Sequence, residues 1–247
     1  EPRLHLTLGK LLLESGKEDD AVEAFKKATN LFPENFSAQI RLADWYYIKG
    51  MLEKSLETYK VAETLDSDNP VVQARLGKIY ADKKQNNKAQ VALEKAIKLN
   101  PKDAESHYQL GKLVSAEGKW GRAQSLLSNA IALNAKHGDS YYELGVVLLG
   151  RGNVDLAKDN FEKALDLEPK NSDYIMGLAM VLVEKKELDN ALEMLLPVSK
   201  KETNNSELFI AICKVYTKKG YFTAATGYCE TALSLNTDNY EAMNRLA

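Results

Sequence analysis

The octapeptide "AIKLNPKD" at 96–103 has a near copy 68 residues earlier, "ATNLFPEN" from Ala28, and another 68 residues later, "ALDLEPKN" from Ala164. Looser copies, "AETLDSDN" from Ala62 and "AIALNAKH" from Ala130, fall midway between them. A phrase that returns every 34 residues constrains this chain more than any other feature. A unit that short cannot bury an apolar face alone, so its copies have to stack on one another.

Framed in 34s from Pro2, the chain holds seven complete repeats, 2–35, 36–69, 70–103, 104–137, 138–171, 172–205 and 206–239, without insertion. Residues 240–247 begin an eighth. The eighth place is small throughout (Gly9, Ala43, Gly77, Gly111, Gly145, Ala179, Cys213), and so is the twentieth, from Ala21 and Ser55 to Ala225. The twenty-seventh is alanine in every repeat but the sixth, which has Val198. Large apolar residues such as Phe25, Tyr59 and Phe161 fill the twenty-fourth, with Cys229 the weakest.

Within a repeat, "PVVQARLGKIYADKK" and "KAQVALEKAIKLN" each space apolar residues as a helix does, and no alternating run competes. The reading is a pair of antiparallel helices. A 14-residue helix is about 21 Å long and unstable by itself, so it needs a packed neighbour. Small residues let the two backbones approach. Glycine at the fifteenth place of five repeats (Gly16, Gly50, Gly118, Gly152, Gly220) suits a turn needing positive φ. Pro33, Pro101 and Pro169 stop the second helix, so "AIKLNPKD" is that helix's closing turn. Pro197 falls inside the second helix of repeat six and predicts an early end or bend there.

The small–small–alanine pattern, the pairs in "RLGKIY", "QLGKLV" and "ELGVVL", and the closing proline resemble the tetratricopeptide repeat across 238 of 247 residues. One departure is systematic. The aromatic usual at the fourth place is replaced by His5, Gln39, Gln73, His107, Tyr141, Ile175 and Phe209, which predicts looser packing in the N-terminal half. The resemblance implies an all-α, right-handed superhelical solenoid whose concave face is lined by the first helices, and one domain over 1–247. "NYEAMNRLA", with Met243 and Leu246 at packing places, lacks the polar outer face of a cap and reads as continuing into something longer.

Composition narrows function by exclusion. The 33 basic and 35 acidic residues leave a net charge of −2, which gives no electrostatic reason to expect nucleic acid. The longest apolar runs, such as "GVVLL" at 145–149, are too short to span a bilayer. The compartment is not legible. Of the three histidines, His5 and His107 occupy a packing place and His137 a loop, with no second ligand at metal spacing. Cys213 and Cys229 form no disulfide framework; they read as buried small hydrophobes, with a redox pair across the two helices as the alternative. No phosphate-cradling, zinc-protease or nucleophile-elbow motif occurs. No catalysis and no cofactor are therefore expected.

What remains is the first-helix face, which in the family is lined by the second, fifth, sixth, ninth, twelfth and thirteenth places. Arg41, Arg75, Lys78 and Lys112 form a basic ladder through repeats two to four, with Lys10 adding to it and Asp44 and Asp82 partly neutralising it. Tyr108 and Tyr142 follow at the fifth place. Then come apolar residues: Val146, Leu149, Met176, Met180, Val183 and Ile210. The predicted ligand is a protein or peptide segment, acidic at one end and apolar at the other. The plainer alternative is a solvated face with internal ion pairs beside apolar residues that pack a narrow superhelix. The lysine–asparagine–arginine clamp of chaperone-binding relatives is missing, as is the asparagine ladder of the sugar-transferring ones. The expected role is a non-catalytic scaffold within a larger assembly. The alternatives are the substrate-docking arm of an enzyme, or a self-assembling homo-oligomer.

Overall fold

The computed structural model describes residues 2–236, which leaves the proposed start of an eighth repeat, with Met243 and Leu246, outside the described residues. Those residues form helices and turns alone. The first helices of the repeats are α1 (Pro2–Glu14), α3 (Phe36–Ile48), α5 (Pro70–Asp82), α7 (Ala104–Ala116), α9 (Gly138–Gly150), α11 (Ser172–Glu184) and α13 (Ser206–Lys219). The second helices are α2 (Glu18–Leu31), α4 (Leu52–Leu65), α6 (Asn86–Leu99), α8 (Trp120–Leu133), α10 (Val154–Leu167), α12 (Leu188–Ser199) and α14 (Phe222–Leu235). The chain divides into two compact units, Glu1–Leu133 with four hairpins and Asn134–Ala247 with three. In each unit the two helices of a repeat pack on each other, and each second helix then packs on the next first helix.

The core of a hairpin is one small residue facing one large one. A Cβ placed on Gly77 would lie 2.6 Å from Leu93 Cγ, and one on Gly145 would lie 2.8 Å from Phe161. Neither gap exists in a real contact, so only glycine lets these helices close. Phe161 is held from a second side by Gly177, where an added Cβ would come within 2.5 Å of its ring.

The turn between the helices needs a left-handed residue at its fifteenth place in repeats without glycine too. Lys84 (φ 56°) and Lys186 (φ 64°) adopt it beside the five glycines. Each first helix from α3 onward is capped by the last residue of the repeat before it. Asn35, Asn69, Asp103, His137, Asn171 and Asn205 accept hydrogen bonds from backbone N–H groups of the first turn. His137, read from the sequence as a loop residue, is one of these caps; its Nδ1 accepts from Ser140 N.

The fourth place corrects an expectation. Gln39, Gln73 and His107 do not loosen the N-terminal half, because all three are buried and hydrogen-bonded. Gln39 Nε2 donates to Pro33 O at 2.8 Å, Gln73 Nε2 to Ser67 O at 3.0 Å, and His107 Nε2 to Pro101 O at 3.0 Å. Since a carbonyl only accepts, the His107 proton sits on Nε2. Each bond ties a first helix to the loop that enters it and contributes about 1 kcal/mol.

On the surface, a lysine near the end of a first helix pairs with an acid opening the preceding second helix. The pairs are Lys49–Glu18 and Lys83–Glu53 in unit one, and Lys185–Asp155 and Lys219–Asp189 in unit two. Pro197 lies inside α12, which continues through it to Ser199 and ends after 12 residues, where the other second helices have 14. The cysteines need a second correction. They are buried as expected, at 1% and 0% exposure, but they are joined to each other across α13 and α14.

Candidate protein-binding faces

In unit one, α5 lies beside α7. Between them opens a cleft of about 240 Å³, lined among others by Val71, Ala74, Arg75, Lys78, Glu105 and Gln109. These come from the second, fifth, sixth and ninth places, which the helical period brings to one side of a first helix.

The expected basic ladder is here a lattice of alternating charge. Arg75 Nε lies 3.2 Å from Asp44, which also accepts the hydroxyl of Tyr59. Lys78 Nζ lies 3.4 Å from Glu105 and 5.6 Å from the centre of the Tyr47 ring. Tyr47 donates its hydroxyl to Asp82 at 2.6 Å, and Gln109 donates to Glu105 at 2.8 Å. Arg41 is exposed and has no side-chain partner among the described residues. Lys112 is exposed as well, whereas Tyr108 is buried at 7% exposure.

Burial first, and then the hydrogen bond to a carboxylate, pushes the Tyr47 and Tyr59 hydroxyls far above the ordinary tyrosine value of 10.0. Both stay protonated donors at neutral pH. The side chains of Arg75 and Lys78 remain 42% and 29% exposed, so each can exchange its internal partner for an incoming carboxylate or amide. Internal pairing leaves the cleft little net attraction at long range; recognition would rest on contact geometry.

In unit two the first-helix face is apolar. Val146, Leu149, Met176 and Val183 are half-buried, and Met180 is 49% exposed. Ile210, expected on this face, is instead 1% exposed, packed with Phe209 and Ala232. Tyr142 stacks on Tyr174 at 5.5 Å, and its hydroxyl is pushed up to about 12, mainly by burial and then by nearby Asp173, Glu143 and Asp139. Tyr174 donates to Asp139 at 2.7 Å.

Sequence reasoning missed Glu105, Gln109, Tyr47 and Tyr59. Glu105 was within reach: it holds the second place of repeat four, and the ninth place of repeat three is Lys78. Tyr47 was within reach too, since it holds the twelfth place of repeat two, one of the lining places; Tyr59 gave no such signal, since a tyrosine at a packing place does not show where its hydroxyl points. Among the described residues no cluster of histidine, cysteine, aspartate and glutamate could hold a metal ion, and no helix is long and apolar enough to cross a membrane.

A family model described as the cilia and flagella-associated protein 70 C-terminal domain matches residues 1–208. No curated protein matches the chain. Among solved structures, the crystal structure of the APC/C hetero-tetramer Cut9–Hcn1 is similar at a TM-score of 0.82 and 20% identity, over 95% of this chain and 46% of that one. This chain thus spans less than half of that one. A tetratricopeptide repeat protein from Parabacteroides merdae matches at 0.76 and 17% identity, over 99% and 97% of the two chains. YrrB, described as a tetratricopeptide protein with an unusual peptide-binding site, matches at 0.57 and 19% identity, over 76% and 97%. At these identities the likeness is one of fold.

Proposed function

The chain belongs to the cilia and flagella-associated protein 70 C-terminal domain family of tetratricopeptide repeats, and from that premise we propose that it is a non-catalytic scaffold holding a partner polypeptide against its first helices. A fold of stacked hairpins is in general a protein-interaction scaffold. The observation that carries the finer reading is the α5–α7 cleft, where half-exposed Arg75 and Lys78 stand beside the apolar Val71 and Ala74. An extended segment laid there could place a carboxylate at Arg75 or Lys78 and an amide at Glu105 or Gln109, with a small apolar side chain over Ala74. Arg41 and Lys112 would extend the basic wall. On unit two, Tyr142, Val146 and Met180 would offer a separate apolar face to a partner segment, and on unit one Tyr108, being buried, would support the wall from behind. The family name points to ciliary and flagellar assemblies as the setting for such a scaffold.

The test is selection of linear peptides from a displayed library on the intact chain, followed by titration of the selected peptides. Ala74→Trp, which fills the cleft, and Arg75→Glu/Lys78→Glu should each weaken binding at least about tenfold, a loss of roughly 1.4 kcal/mol. Lys102→Ala, an exposed control, should leave it unchanged. Peptides that bound all variants equally would place recognition elsewhere on the chain.

A further inference from the structure

Six hairpins bring a small residue at the eighth place against a large one at the twenty-fourth. Gly9 faces Phe25, Gly77 faces Leu93, Gly111 faces Leu127 and Gly145 faces Phe161 at distances no Cβ would tolerate. Ala43 with Tyr59, and Ala179 with Leu195, hold the same two places, all buried. The seventh hairpin keeps a small residue at the eighth place but has no large one at the twenty-fourth, and both are cysteines. It sets Cys213 on α13 and Cys229 on α14, with Cα atoms 5.5 Å apart and the sulfurs bonded. The family model ends at residue 208, before either cysteine.

We propose that Cys213 and Cys229 are a reversible thiol–disulfide couple that takes the place of the small–large core pair and sets the cohesion of the last hairpin. With the bond formed, the helices are held covalently. With it reduced, the covalent link is gone and the twenty-fourth place offers only a thiol where other hairpins offer a ring or a leucine, so the two helices are held by a smaller apolar contact. Tyr216 and Tyr228 pack on the cysteine pair. They belong to a stack in which Phe209 lies 6.3 Å from Tyr228 and Tyr228 lies 5.4 Å from Tyr216. Opening the hairpin therefore also loosens this aromatic surface.

The oxidant is the disulfide of a small thiol, of the glutathione class. One cysteine thiolate attacks a sulfur of that disulfide, forms a mixed disulfide and releases one small thiol. The second cysteine then attacks the protein sulfur of the mixed disulfide and releases the other small thiol. Two electrons and two protons pass from the pair to the small disulfide, which leaves as two thiols. Both protein sulfurs are buried, so exchange in either direction waits for the hairpin to open. The bond closes a span of 16 residues. Constraining a loop of that size suppresses opening on the order of 100-fold.

The intact chain is equilibrated in glutathione buffers from fully reduced to fully oxidised, quenched in acid, denatured, alkylated and weighed. Amide exchange is followed over 206–236 in the two end states. The expected result is a switch from two alkyl adducts to none as the buffer becomes oxidising, with exchange in α13 and α14 about 100-fold faster in the reduced state. Exchange in α9 and α10 should not change. Cys213→Ala/Cys229→Leu, which restores the pair seen at Ala179 and Leu195, should exchange as slowly as the oxidised parent in either buffer. Two adducts in every buffer would overturn the couple, and equal exchange in both parent states would overturn its structural role. The parent comparison decides both points even if the double variant fails to fold.

Discussion

In repeats two to four the fourth place of the first helix is Gln39, Gln73 and His107, each buried and each donating to a carbonyl six residues earlier. In repeats five to seven the same place is Tyr141, Ile175 and Phe209. The first-helix faces divide in the same way. Unit one joins α3, α5 and α7 through Asp44–Arg75, Tyr47–Asp82 and Lys78–Glu105; unit two presents Val146, Met176 and Met180 beside the Tyr142–Tyr174 stack. What the two units share is the small–large core pair, the left-handed turn and the N-cap. Those three features are enough to build the hairpin. The other places are then free to be polar or apolar, and that choice sets how each unit responds to salt, pH and packing changes.

The largest expected effect tests what is shared. Phe161→Ala should cost about 3–5 kcal/mol and Leu93→Ala about 2–5 kcal/mol, because each empties a fully buried interhelical slot. Gly77→Leu should cost about 1–3 kcal/mol by overpacking against Leu93. Urea unfolding measures all three. A loss confined to one unit's variants would break the claim of a common core.

The next effect separates the units. Tyr59→Phe removes a hydroxyl donor to Asp44 and should cost about 1–2 kcal/mol at neutral pH. The folded-state pKa of Tyr59 is raised, so the stability it contributes is full below its ordinary value of 10.0 and declines as pH climbs above that value. Alkaline melting curves should accordingly flatten in Tyr59→Phe relative to the parent. An unchanged alkaline slope would mean that the lattice of unit one does not depend on this proton.

His107→Leu should cost about 1 kcal/mol through the lost bond to Pro101 O, while His107→Gln, which copies Gln39 and Gln73, should stay close to the parent. Thermal melts distinguish the two, and equal losses would show that ring volume rather than the donor matters there. Lys84→Gly and Lys186→Gly, one in each unit, should each stabilise by about 0.5–1 kcal/mol by relieving a left-handed residue. Unequal gains would show that the turn is not equivalent in the two units. The smallest effect belongs to the exposed ladder. Lys49→Ala should cost no more than about 1 kcal/mol at low salt and nothing measurable at high salt, as read by melting at two ionic strengths.

The sequence by itself determined the 34-residue frame, the two helices per repeat and the places where they touch. Period, small residues, glycine turns and closing prolines are all local signals; the first two run through all seven copies, the glycine turn through five and the closing proline through three. It also located the short α12, since Pro197 marks that helix in the sequence. Partner choice among polar groups was settled only by the tertiary structure. The sequence left Arg75 and Lys78 open between a basic ladder, with Asp44 partly neutralising it, and a face of internal ion pairs, because Asp44 and Glu105 lie 31 and 27 residues away in the chain and become neighbours only when first helices stack. The glutamines and histidine at the fourth place read as defects until the folded loops set a carbonyl before each one. Cys213 and Cys229 read first as small hydrophobes, with a redox pair across the two helices as the alternative, for the same reason: spacing shows that two residues face each other across a hairpin, but only the packed helices set their Cα atoms 5.5 Å apart. Repetition makes backbone geometry legible because each copy obeys the same local rule. Side-chain pairing depends on which copies become neighbours, and that is a property of the packed chain.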